Sequence, residues 1–214
     1  MGIKTKVSVL GDVSGKVGYV VMLNVLGQSI VRSIPKEKRK ATSEKLIKEN
    51  DIFRLVMRFF KGITKGVFKE GYQVLKNAHM SPYNAAISYH RLNAVTALNG
   101  DFGMDLTRLK FSSPIRTTQT GWHPELIRIT ANEVLVKWEL NPCPLKTTQL
   151  NDKVTLIFYD QKIHNFMVKY SVRDSLSCQL ILPRAMTGDE ILCWIFFTSA
   201  DGKLVSETKY LGVV

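Results

Sequence analysis

Cysteine is scarce in this chain, long apolar runs are missing, and no motif names a reaction. Cys143, Cys178 and Cys193 are the three cysteines in 214 residues. They form no C-x-x-C pair and cannot complete a disulfide framework, so nothing in them argues for an oxidising compartment. Cys178 and Cys193 sit in apolar, strand-like runs, where a free thiol serves as a small core residue. No stretch approaches the roughly 18 apolar residues of a membrane-crossing helix, so no membrane span is expected. Lys4 and Lys6 precede the mostly apolar 17–27 segment, but Gly11, Gly15 and Gly18 suit turns better than a leader helix. No signal peptide is expected there, and a cytoplasmic location is the default.

Known catalytic patterns fail one by one. Gly11 to Lys16 (GDVSGK) follows an apolar run, but a phosphate loop needs G-x-x-x-x-G-K-[ST]. Here the first glycine is one residue too close, and Val17 stands where the hydroxyl must reach the metal. His79, His90, His123 and His164 share no metal-ligand spacing. Asp101-Phe102-Gly103 lacks the other kinase signatures, and no G-x-S-x-G elbow is present. Asp101 and Asp105 lack the further oxygen ligands of a calcium loop. No catalytic residue, cofactor or metal ligand is nominated, and the protein is expected not to be an enzyme.

Charge is present in excess and unevenly placed. Lys and Arg number 30 against 18 Asp and Glu, a net of +12. Residues 1–112 hold 19 basic and 8 acidic side chains, and residues 113–214 hold 11 and 10. The excess is either a solvated surface or a face for an anionic partner. Hydrophobic residues at 45% and charged residues at 22% are those of a globular protein.

Residues 17–24 and 29–34 read as a hairpin, with 6–10 as a further strand and turns at 14–16 and 26–28. Residues 35–40 (PKEKRK) are a charged loop, and Thr42 or Ser43 can cap the helix that follows. Leu46, Phe53, Val56, Phe60, Ile63, Val67 and Val74 fall within about 100° of one helical face, which should be buried. Arg54, Arg58, Lys61, Lys65 and Lys69 fall on the opposite side and form the candidate face for an anionic partner. Gly62, Gly66 and Gly71 predict a kink or break between 62 and 71. Ser81-Pro82 starts a second helix running to about residue 98, ended by Asn99-Gly100. The character changes over 101–124, so a boundary is placed near 113–121, dividing a basic domain (1–112) from a β domain (113–214). Strands are expected at 134–140, 153–159, 165–172, 177–182, 191–198 and 204–211, a count that fits a small sandwich. Trp138, Trp194, Phe196 and Phe197 should be core, whereas Trp122, in a loop, is a candidate exposed contact.

The chain resembles a family of uncharacterised proteins from Bacteroidota. The resemblance is carried by GDVSGKVGYVV (11–21), VRSIP (31–35), the helix entry at 42–44, YNAAISYHRLNAV (83–95) and SADGKLVSETKYLG (199–212). It departs at 143–150 (CPLKTTQL), where the family is richer in Gly, Asn and Ala. What it implies is an α+β architecture: an N-terminal β-hairpin with amphipathic helices, then an immunoglobulin- or fibronectin type III-like sandwich. It supplies no functional residues. The expected function is a structural or protein-interaction role, with protein (self or other) as partner. The alternative is nucleic-acid binding through the basic half.

Overall fold

A computed structural model describes residues 2–3, 14–25, 28–34, 43–63, 65–74, 80–98 and 101–214. The elements, in order, are β1 (Gly2–Ile3), β2 (Gly15–Val17), β3 (Val20–Val25), β4 (Gln28–Ser33), α1 (Glu44–Phe59), α2 (Lys65–Gly71) and α3 (Pro82–Asn93). A short hairpin of β5 (Val95–Leu98) and β6 (Asp101–Met104) follows. The remaining strands are β7 (Trp122–Thr130), β8 (Glu133–Glu139), β9 (Lys153–Asp160), β10 (Asn165–Val172), β11 (Ser177–Ile181), β12 (Ile191–Thr198) and β13 (Lys209–Val213). The class is α+β. Compactness divides the chain inside α1, into residues 1–48 with 76–80, and residues 49–75 with 81–214.

In the first unit, β3 and β4 pair as the expected antiparallel hairpin, within a sheet ordered β1-β4-β3-β2. The turn expected at 14–16 is instead strand β2. The chain reverses at Gly18 and Tyr19, where Gly18 has φ 58°. A two-residue hairpin loop needs that sign of φ at its first position when it follows the twist of its strands. The expected strand at 6–10, the turn residues 26–27 and the loop 35–40 lie outside the described residues, as does Thr42.

The second unit has three layers. Its middle layer is the sheet β10-β9-β12-β13, and one flanking layer is the sheet β11-β8-β7. Alternation along the two central strands sends side chains both ways. Val154, Leu156 and Phe158 of β9, with Ile191, Cys193, Ile195 and Phe197 of β12, join Val134, Val136 and Trp138 of β8 in one core. Their neighbours Ile157, Tyr159, Leu192, Trp194 and Phe196 face the other way. They pack with Val56, Phe60, Val67, Phe68, Ala86 and Phe111 of the helical side. Every residue of β12 is therefore buried. Trp138 is in the core, as its phase predicts.

The segment read as a boundary is knitted into this unit. The Thr208 hydroxyl accepts from the backbone N–H of both Phe111 (2.9 Å) and Ser112 (2.8 Å). Gln73 accepts from Ile115 and Arg116 N–H at 2.7 Å each, and its amide donates to the Lys203 carbonyl at 2.7 Å. Residues 49–74 and 81–112 thus share a core and a hydrogen-bond network with residues 113–214.

Four element expectations are corrected. The second helix stops at Asn93 rather than near 98, because β-branched Val95 and Thr96 favour a strand, and β5 pairs antiparallel with β6; the expected stop at 99–100 lies outside the described residues. Strand β7 starts at Trp122, inside the stretch read as irregular. Pro124 masks it, and an edge strand tolerates a proline. The last strand begins at Lys209 rather than 204, and Val205 instead bridges singly to Thr198 and Thr117. The helix break expected between 62 and 71 is present but begins earlier: the long helix ends at Phe59, a 3-10 turn spans Phe60–Gly62, and α2 runs from Lys65.

Candidate functional site

Phe53 and Leu46, expected on the buried face of α1, are each 47% exposed. Val56, Phe60, Ile63 and Val67 are buried as expected. The buried stripe is narrower than periodicity implies, because the α1 side chains near Phe53 meet α3 rather than the sheet.

Between α1 and α3 lies a cavity of about 210 Å3. Phe53 and Met57, one turn apart on α1, form one side. Tyr83, Ile87 and Arg91, successive turns of α3, form the other, with Asn84 and Ser88 between them. Local sequence fixes this face. Pro82 occupies the first turn of α3, and the Ser81 hydroxyl accepts from Asn84 N–H at 3.1 Å, capping the helix. The Tyr83 hydroxyl reaches the Met57 sulfur at 3.7 Å. Arg91 pairs with Glu49 at 3.4 Å across the two helices.

The five basic residues of the candidate anionic-partner face are distributed over three elements. Arg54 and Arg58 lie one turn apart on α1, Lys61 on the 3-10 turn, and Lys65 and Lys69 on α2. Arg54, Arg58, Lys61 and Lys69 are exposed, and the side chain of Lys65 lies outside the described residues. Arg54 pairs with Asp51 at 3.3 Å.

Two buried polar groups were not singled out by sequence. His90 is fully buried. Its Nδ1 lies 2.7 Å from the Ala86 carbonyl, and its Nε2 accepts from Lys110 N–H at 3.1 Å. Both nitrogens are satisfied only in the neutral ring, and burial pushes the imidazole down to about 4. This is a core histidine that ties α3 to residue 110. Arg173, 1% exposed, pairs with the fully buried Asp152 at 3.2 Å and donates to the Gln119 carbonyl at 2.5 Å. Its guanidinium lies 4.3 Å from the Phe197 ring centre, and its carbonyl accepts from the Trp138 indole at 2.8 Å. Burial lowers Arg173 against the opposing pull of Asp152. Arg173 also lines a cavity of about 220 Å3 with Leu140, Pro144 and Leu150. Its donors are committed to joining the loops around residues 119, 141 and 152. A buried Arg reads as ordinary surface charge in a sequence, so no signal pointed to it.

Trp122 is 43% exposed and lies 4.9 Å, centre to centre, from the ring of His123. Among the described residues no helix is long and apolar enough to cross a membrane, and no three His, Cys, Asp or Glu are placed to hold a metal ion.

No curated protein matches the chain. The solved structure described as "Myokine structure" is similar over 44% of this chain and 95% of its own, at 15% identity with a TM-score of 0.32. A likeness of that size carries no argument. The model of a family of unknown function, DUF6266, matches residues 12–212, nearly the whole sequence, and the chain belongs to that family.

Proposed function

We propose that the protein is a non-enzymatic interaction protein, in which an immunoglobulin- or fibronectin type III-like sandwich supports a helical binding face. The strand arrangement supports the scaffold half of this reading. Seven antiparallel strands lie in sheets of three and four around a shared core, as in such sandwiches. The single observation that carries the binding half is the α1–α3 groove. The helical layer buries one side on the sheet yet leaves Phe53 and a largely apolar cavity open to solvent, and apolar clefts on rigid elements are favoured partner sites.

The test is capture from a lysate of the native host. Wild type should retain a specific protein that Ser88→Trp, which fills the groove, loses while its melting temperature holds. Identical captures by the two proteins would overturn the reading.

A second reading, nucleic-acid binding through Arg54, Arg58, Lys61, Lys65 and Lys69, draws on the exposure of Arg58, Lys61 and Lys69. It calls for affinity that falls steeply with salt as phosphates are neutralised. Only weak, non-specific binding is expected, because charge is spread over three elements without a base-reading motif.

A further inference from the structure

We infer that the open edge of β11 is a homodimer surface, on which a second copy of this chain pairs its own β11 antiparallel about a two-fold axis through Gln179. None of the residues involved belongs to the α1–α3 groove. β11 ends its sheet, with β8 on one side only, and two hydrogen bonds fix which of its backbone groups point outward. Trp138 N–H donates to the Leu176 carbonyl at 2.9 Å, and Leu182 N–H donates to the Asn132 carbonyl at 2.7 Å. The even-numbered residues from 176 to 182 therefore turn their polar groups toward β8, and Ser177, Gln179 and Ile181 turn theirs away. All three are exposed, Ile181 by 67%, and their outward N–H and C=O groups have no partner among the described residues. Such an edge is a template for another strand.

The other edges of these two sheets are guarded. β10 carries Lys169, β13 carries Lys209, and β7 carries Pro124 and two breaks in register. Residues 176–183 (LSCQLILP) hold no charge, so two copies of β11 meet without repulsion. With Gln179 on the axis, Ser177 of one copy faces Ile181 of the other and the two Gln179 residues face each other. Only this register engages every outward residue of both strands, for about six backbone hydrogen bonds at two per pair. Charge favours a second copy over an unrelated strand. Asp174 lies five residues before Gln179 and Arg184 five residues after it. Both are exposed, in the 3-10 turns that flank β11, and neither has an ionic partner among the described residues. Antiparallel pairing brings the start of one strand to the end of the other. Each copy's Arg184 therefore comes to the Asp174 end of its partner, and the two-fold axis makes that complementary contact twice.

A standard interface takes roughly 20–30 residues a side, more than this edge offers, so the dimer is weak. The full-length protein is therefore followed by sedimentation equilibrium from micromolar to near-millimolar concentration, where wild type should pass from monomer to dimer. Gln179→Pro removes an outward N–H and leaves the β8 ladder whole, and it should stay monomeric. Gln179→Lys sets like charges face to face and should weaken the dimer about fivefold. Asp174→Arg and Arg184→Asp should each weaken it about tenfold at low salt, since each reversal acts at two symmetric places. The two reversals together should restore it. Each variant is checked by circular dichroism and melting temperature. The lysine and charge variants are at exposed positions and should fold even if the proline variant does not. A wild type that stays monomeric throughout, a dimer that survives both Gln179 variants, a dimer that Ser88→Trp abolishes, or a double reversal that fails to rescue would each overturn the inference.

Discussion

His90 and Gly71 show how single positions carry the fold. The neutral His90 ring is held at about 4, against 6.5 for the ordinary side chain. The unfolded chain therefore takes up the proton first. The stabilisation from this residue is complete above about pH 6.5 and is lost as pH falls toward 4, by roughly 3 kcal/mol at 1.36 kcal/mol per unit. Denaturant midpoints measured from pH 7 to pH 4.5 should fall in wild type and fall less in His90→Gln. Equal slopes would show that His90 does not set the dependence. Gly71 sits in α2 where a methyl group would lie 2.0 Å from the Phe111 carbonyl oxygen. The clashing atom is backbone and cannot swing aside. Gly71→Ala should cost more than the roughly 1–3 kcal/mol of ordinary overpacking, although in an exposed helix the same change would stabilise by about 1 kcal/mol. In the sequence this glycine read only as a helix breaker, because nothing local marks the close approach of a segment forty residues away.

Elements were legible where the local pattern and the tertiary environment agree. Strands β10 and β12 stand where alternation and apolar density predict them, at 165–172 and 191–198. Strand β8 carries Trp138 in phase with Val134 and Val136, and Trp138→Ala should cost about 3–5 kcal/mol. A loss under about 1 kcal/mol would place the ring outside the core. The loops that Asp152 and Arg173 tie together depend on two residues that have no local signature. Asp152→Ala strands a buried guanidinium and should destabilise by about 3–5 kcal/mol. Replacing both, as Asp152→Leu with Arg173→Met, should recover part of that loss in a double-mutant cycle. Helix α1 was legible as a helix but not in what it touches. Its period placed Phe53 with the buried residues, and only the position of α3 leaves that ring at the mouth of a groove.

The arrangement of layers across the whole molecule was the least legible feature. The run 154–159, interrupted only by Thr155, and the unbroken apolar run 191–197 carry the signal for burial on both faces, a signal that implies a layer on each side of the central sheet. The shift in charge near residue 112 marks a change in composition inside one packed unit. Limited proteolysis should accordingly spare residues 112–124, whose backbone is bonded to Gln73, Val205 and Thr208. An early cut there would show that the hydrogen bonds do not protect the segment. The central sheet also sets an order of events during synthesis. Phe60 leaves the ribosome first, yet Trp194 of the same core is made 134 residues later, about 7–27 s at the usual rates of translation. Until β12 arrives the aromatic face of the helices has only part of its wall, Tyr159 of β9 and Phe166 of β10, and transiently exposed apolar surface of that kind is what chaperones shield.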